Sequence, residues 1–436
     1  MGKLAINGGK KVITKKMQTL WPIITDDDKK MVMSVLDSQI VTGPYAPHLR
    51  GAEKEFAEFV GTKYAIMTNA GTSAIHIAIA AAGIGPGDEV IVPSFTFLAS
   101  ALGVLHQNAV PVFVDIDMAT FNLDPAKIEA KITKNTKAII PVQLHGLCCD
   151  MDPILAIAKK HNLLVIEDCA QAHGATYKGR NAGSMGDMAI FSVQASKNLP
   201  CGEGGFFVTN NEKFAQIADN VRLFGQDSSF EDIKYIDLTT PLDRNRMFES
   251  ITVGWQYLPG EMPAAMLRAQ LRALPERNAN STRNGAFLSK SLSGIPGLNP
   301  PVVPEGRTHV YHKYRLILDA KAAGIDAAPK VFRDRILAAI QAEGVDACMW
   351  ESMPVPVQKN FKEHIGYGKQ CPWSCPLRDE PAPHTAPEDY AVAEALLATS
   401  ICLGSHSFPL IAQKMELMEL YAEAVRKVFD NISELF

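Results

Sequence analysis

The sequence predicts an α/β fold built on a mostly parallel central sheet, and three observations carry that prediction. Between residues 60 and 210, short apolar runs alternate with helix-length amphipathic stretches. The runs are almost continuously apolar, as strands covered on both faces must be. Strand–helix alternation of this kind joins parallel neighbours through crossover helices.

Taken in order, the strand candidates are KYAIMT (63–68), EVIVP (89–93), VPVFVDI (110–116), KAIIPV (137–142), LLVIEDC (163–169), MAIFSV (188–193) and GFFVT (205–209). Helices are expected at 72–83, 96–107, 125–132 and 152–161 between them. Before this core, DDDKKMVMSVLDS (26–38) reads as an acid-capped helix. After it come a helix at 211–224, a polar excursion over 225–260 and a long helix from 262 to about 292. The Pro/Gly-rich GIPGLNPPVVPEG (294–306) is the expected boundary, dividing a large domain (1–293) from a smaller C-terminal α+β domain (294–436). In the latter, HVYHKYRLIL reads as a strand, VFRDRILAAIQAEG as a helix and 409–431 as a closing helix.

Bulk composition narrows the function. Net charge is −4 and charged residues make up 21%, so nothing points to nucleic acid or an anionic membrane surface. No apolar run is long enough to span a bilayer, and MGKLAINGGKK lacks the apolar core of a signal peptide. The expectation is a cytoplasmic enzyme. The eight cysteines include no CxxC pair and no complete metal-ligand set, so they read as reduced structural thiols and no metal is expected.

Four local features fall at or just after strand ends, where open α/β sheets bind ligands. In NAGTSAIHIAIAA (69–81), a strand ends, Gly71, Thr72 and Ser73 turn the chain, and an apolar helix begins. Free N–H groups, a helix N-terminus and two hydroxyls there suit a phosphate, although Ser and Thr also serve simply as caps. In VIEDCAQAHG, Asp168 ends an apolar strand, where a carboxylate needs a partner: a protonated ring nitrogen or a structural salt bridge. In IFSVQASKNLPCGEGG, Lys197 sits between an apolar run and three glycines rather than on a polar helix face. In PSFTFLAS, Phe95 or Phe97 could stack on a flat ring or pack into the core. A phosphate cradle, a carboxylate for a pyridinium, an amine for a Schiff base and an aromatic stacker are together what pyridoxal phosphate requires. Their order along the chain matches fold type I enzymes of that cofactor, which makes Lys197 the lysine that carries it.

The chain resembles the DegT/DnrJ/EryC1/StrS family of sugar and cyclitol aminotransferases. The likeness runs over nearly its whole length and rests on GTSA (71–74), PSFTF (93–97), HGLCCDMDPI (145–154), EDCAQAHGA (167–175) and FSVQASKNLPCGEGG (191–205). The opening LAINGGKKV is similar to the branch that aminates keto-cyclitols or makes aminohydroxybenzoate. The resemblance implies that Thr72, Ser73 and Ser192 hold the phosphate beside Gly71. It implies also that Phe97 stacks on the ring, Gln171 bonds its phenolic oxygen and Asp168 pairs with its nitrogen. Family dehydratases carry His where Lys197 stands, so the lysine favours transamination. One departure is GWQYLPGEM, where Gln256 and Leu258 replace the Asn and basic residue of a loop that reaches the partner subunit's phosphate.

The implied reaction is a ping-pong transfer from glutamate or glutamine to a keto-sugar or keto-cyclitol, in a homodimer with composite sites. As general base, Lys197 needs a pKa well below its usual value. Two other readings use the same fold: a lyase or dehydratase that consumes no amino donor, and a non-catalytic regulator. His145, Tyr311 and His312 are candidate acceptor contacts, each with an equal structural reading. Arg222 could meet a donor carboxylate, with a surface ion pair as the plainer expectation.

Overall fold

The computed structural model describes residues 3–227, 249–378 and 386–436. The first helices are α1 (Asp26–Ser38) and α2 (Pro47–Val60). Thr25 and Asp28 cap α1 reciprocally: the Thr25 N–H donates to Asp28 Oδ2 at 2.7 Å, and the Asp28 N–H to Thr25 Oγ1 at 3.3 Å. The large sheet then begins with β1 (Tyr64–Thr68), α3 (Gly71–Ala81), β2 (Glu89–Pro93), α4 (Ala99–His106) and β3 (Val110–Val114). It continues with β4 (Thr136–Ile139), α5 (Met151–His161) and β5 (Leu164–Asp168). A small hairpin, β6 (Thr176–Tyr177) and β7 (Arg180–Asn181), precedes β8 (Met188–Ser192) and β9 (Gly205–Thr209).

Spatial order is β1-β9-β8-β5-β4-β2-β3. The four pairings that join β8, β5, β4, β2 and β3 are parallel, whereas β9 runs antiparallel to both β8 and β1. Successive side chains leave each strand on opposite faces. On β8, Ala189 and Phe191 enter one core with α2 and α5, while Met188 and Ile190 enter a second core with α3 and α4. Burial on both faces is why these strands read as continuous apolar runs.

The expected helix at 125–132 is instead two 3-10 turns, Pro125–Lys127 and Glu129–Lys131. Ile128, fully buried between the two turns, anchors the segment to the core, and eight residues are too few to repay α-helix nucleation by themselves. The expected excursion over 225–260 lies largely on residues 228–248, outside the described residues. Its flanks meet, Gln226 bridging Ser250 and Leu223 bridging Gln256.

The remaining helices of the large sheet's surroundings are α6 (Glu212–Arg222) and the long α7 (Glu261–Leu292). Beyond α7, a second sheet is formed by β10 (Leu298–Asn299), β11 (Tyr314–Leu318), β12 (Ala347–Cys348) and β13 (Ser400–Leu403), in the order β10-β11-β13-β12. Helices α8 (Pro329–Ala342) and α11 (Met415–Asp430) supply a separate core, joined by Leu4 and Ile13 from the chain start. Short α9 (Lys359–Lys362) and α10 (Ala391–Thr399) lie between them in sequence, and α10 packs on the large sheet through Ala393, Leu396 and Leu397. Among the described residues no helix is long and apolar enough to cross a membrane.

Candidate active site

The ends of β4, β5 and β8 and the start of α3 surround a cavity of about 610 Å³. Asp168 closes β5. Its N–H donates to Pro141 O and its carbonyl accepts from the Gln143 N–H, both at 2.9 Å, so the sheet itself aims the side chain. Oδ2 accepts from Ser100 Oγ at 2.7 Å and Oδ1 from the Ala170 N–H at 3.1 Å. Thr96 Oγ1 stands 3.1 Å behind Ser100. Burial raises the Asp168 pKa, against the pull of those two hydrogen bonds and the charge of Lys197.

Lys197 occupies the turn between β8 and β9. Its N–H donates to Gln194 O at 2.8 Å, and its carbonyl accepts from Trp21 Nε1 at 3.1 Å. Both sides of the peptide are thereby pinned, and the amine lines the cavity. Its pKa falls to about 8: burial is the main cause, Asp168 opposes it, Lys313 reinforces it and Glu351 opposes it.

Gly71 opens α3 at a point with no room for a side chain, because a Cβ there would lie 2.7 Å from Ser192 Cβ. Ala70 is the N-cap and offers no side-chain cap. Thr72 and Ser73 therefore sit within the first turn rather than capping it, which leaves first-turn N–H groups without a capping side chain. Thr72 and Ser192 line the cavity. Ser73 does not; its hydroxyl donates to Asn69 Oδ1 at 2.6 Å.

The two phenylalanines separate cleanly. Phe97 lines the cavity and is 49% exposed, whereas Phe95 is buried edge-on against Trp350 and His145. Gln171 lines the cavity as well. Its Oε1 accepts the His145 N–H at 2.8 Å, which fixes the amide orientation and leaves the NH₂ end for a ligand.

His145 is held behind Gln171 rather than in the cavity. Arg315 Nε donates to its Nε2 at 3.0 Å, so the ring proton is on Nδ1, 3.4 Å from Gln171 Oε1. Burial, aided by the Arg315 charge, keeps this ring neutral. His312 does line the cavity. Asn198 Nδ2 donates to Val310 O at 3.1 Å, which turns Asn198 Oδ1 toward His312 Nδ1 at 3.3 Å and makes Nε2 the free acceptor. Tyr311 stacks on His309, with ring centroids 3.9 Å apart, away from the cavity.

Arg222 forms the expected ion pair, but buried rather than at the surface, and it does not reach the cavity. It is 1% exposed and bonds Glu53 Oε1 at 2.5 Å, Asp219, and Met67 O at 3.0 Å, outside the cavity lining. Gln256 is exposed and absent from the lining of this cavity, and Leu258 packs against the core beside α2 and α7.

Sequence reasoning did not find Ser100, Trp21, Trp350, Glu351, His406 and Ser407, all of which line the cavity. Ser100 lay inside the quoted PSFTFLAS, one helical turn after Thr96, and that spacing was its signal. The others carry no local pattern.

The profile of the DegT/DnrJ/EryC1/StrS aminotransferase family matches residues 22–380. GDP-perosamine synthase of Caulobacter vibrioides is 40% identical over 358 residues, 81% of this chain and 84% of that protein. A putative L-glutamine:3-amino-2,3-dideoxy-scyllo-inosose aminotransferase of Micromonospora echinospora is 35% identical over 99% of this chain and 98% of its own length. The solved aminotransferase from Psychrobacter cryohalolentis superimposes with a TM-score of 0.82 at 33% identity, covering 95% of this chain and all of that one.

Proposed function

The chain belongs to the DegT/DnrJ/EryC1/StrS aminotransferase family, and on that premise we propose that it transfers an amino group from glutamine or glutamate to a keto group of a sugar or cyclitol. The observation that carries this reading is one cavity lined by the Lys197 amine, the Asp168 carboxylate, the Gly71–Thr72 turn and Ser192.

These residues fit pyridoxal phosphate. A side chain at Gly71 would fill the cradle, and only glycine leaves the backbone N–H groups of α3 open to an anion. We assign the phosphate to Gly71, Thr72 and Ser192, with Ser73 contributing from the first turn through its backbone. Phe97 offers a ring face, the Gln171 NH₂ suits the phenolic oxygen, and Asp168 suits the protonated pyridine nitrogen. When bound, the cofactor supplies an electron sink for the charge left as a proton leaves the carbon beside the amino group.

The chain's own groups do the remaining work. Asp168, kept in place by Ser100 and Ala170, holds a proton on the ring nitrogen. Lys197 Nζ takes and returns protons; with a pKa near 8, about a tenth of the free amine is neutral at pH 7. Phe97 shields one face from water. Exposed Gln256 is assigned to the partner subunit's phosphate in a homodimer, and the end of α7 to the boundary between a large domain (1–293) and a small one (294–436).

Absorption spectroscopy tests the proposal. The cofactor-loaded protein should lose its visible band when glutamine or glutamate is added. A band indifferent to both donors would favour a lyase, and no band at all would remove Lys197 from its role.

A further inference from the structure

Part of the cavity wall comes from outside the large sheet: Trp21 from the chain start, Trp350 and Glu351 from the connection after β12, and His406 and Ser407 from the turn after β13. Its charge is one-sided. Among the described residues Lys197 is the sole lysine or arginine in the lining, against Asp168, Glu203 and Glu351. His312 and His406 add no charge at neutral pH, since burial and the nearby lysines hold both well below the usual histidine range. Arg315 is committed elsewhere, donating to His145 Nε2 at 3.0 Å, Ser400 Oγ at 2.6 Å and Trp350 O at 2.7 Å.

Glu351 is unusual within this wall. It is half-buried, yet it makes no hydrogen bond or ion pair with any described residue. Its backbone is left-handed, with φ 64°, in a residue that is not glycine. Such a conformation is strained for a residue with a side chain and persists at sites where the surroundings impose it. A carboxylate held there presents two acceptor oxygens with no donor of its own. Trp21 and Trp350 line the same cavity, which gives the C–H side of a ring an apolar border.

We propose that Glu351 reads the amino acceptor, and that the acceptor is a phosphate-free, polyhydroxylated ring ketone whose hydroxyl or ammonium substituents donate to this carboxylate. The inference rests on the aminotransferase reading. A nucleoside diphosphate would bring two further negative charges into a wall whose only cation among the described residues of this chain, Lys197, is already given to the cofactor. Like charges brought together without a paired cation oppose binding. Hydroxyl or ammonium donors instead satisfy an acceptor that feels the charges of Arg315 and Lys197 but receives no hydrogen bond from any described residue.

Two measurements on the cofactor-loaded protein test this. In the first, the visible band is bleached with glutamine and its return is followed on adding a polyhydroxylated cyclohexanone, its ring-amino analogue or a nucleoside-diphosphate-linked keto-sugar. Return is expected with the first two and not with the third, and Glu351→Gln should slow the acceptor half-reaction at least tenfold relative to the donor half-reaction. In the second, calorimetry should show scyllo-inositol or scyllo-inosamine binding at least tenfold more weakly to Glu351→Gln, and no binding of thymidine diphosphate. Tighter binding of the amine assigns the contact to an ammonium; equal binding assigns it to a hydroxyl. Return of the band with the nucleotide-linked sugar, or a Glu351→Gln effect below twofold, overturns the inference. If no donor bleaches the band, the aminotransferase reading has failed, and calorimetry still decides the role of Glu351.

Discussion

Ser100 Oγ donates to Asp168 Oδ2 at 2.7 Å, in a position where both groups are buried. The bond spans 68 residues of sequence and ties the first turn after β2 to the end of β5. It is one of the forces that resist the upward push of burial on the Asp168 pKa.

Ser100→Ala should therefore raise that pKa further. Losing a hydrogen bond to a buried charge is worth about 1.5–3 kcal/mol, so kcat/KM at neutral pH should fall roughly 10- to 100-fold. The sign is testable: in the proposed mechanism Asp168 acts as the carboxylate, so the acid limb of the pH–rate profile should move to higher pH. Ser100→Thr should restore most of the activity, and an unmoved acid limb would refute the coupling.

Lys197 can be titrated without any turnover. Acylation of the cofactor-free protein, followed by mass spectrometry of the Lys197 peptide, should show a midpoint near pH 8. Lys313 lowers that value by repulsion, so Lys313→Met should move the midpoint upward. A midpoint near that of surface lysines would contradict the burial argument.

Gly71→Ala places a methyl where Ser192 Cβ is 2.7 Å away. The cradle must open, and pyridoxal phosphate affinity should drop at least tenfold in an absorbance titration. Retention of wild-type affinity would show that the turn does not hold the phosphate.

Arg222 is paired with Glu53 and Asp219 beneath the surface. Arg222→Met removes the cation that Glu53 and Asp219 share and leaves Glu53 to its pair with Arg50, and breaking a buried pair in this way costs up to about 3–5 kcal/mol. Urea denaturation should register that loss, while the Lys197 acylation midpoint stays where it was.

The proposed composite sites make a distinctive prediction for mixed dimers. Lys197→Ala and Gln256→Ala subunits, each nearly inactive alone, should recover about a quarter of wild-type activity when unfolded together and refolded, because half of the random dimers carry one intact site. No recovery would place Gln256 outside the partner's site.

Much of the fold and half of the site were legible in the sequence. Each apolar run from KYAIMT to GFFVT became a strand of the large sheet, because strands buried on both faces must be apolar throughout. Gly71, Thr72, Phe97, Asp168, Gln171, Ser192 and Lys197 all reached the cavity, since each follows or ends a strand on the side where such sheets bind ligands. His145 and Tyr311 share the same kind of neighbourhood, yet the fold turned them into supports behind the cavity.

What the sequence determined by itself was the sheet and the side of the cavity proposed for the cofactor, whose signals are local: periodicity, strand ends, and a glycine before a helix. Only the tertiary structure decided which residues complete the cavity. Trp21, Trp350, Glu351 and His406 come from segments far apart in the chain, and nothing in their immediate neighbours marks them. The same holds for Arg222, whose partner Glu53 lies 169 residues away. Contacts of that range are set by how the second sheet and the chain start pack on the first, a result of summed burial that no short stretch of sequence encodes.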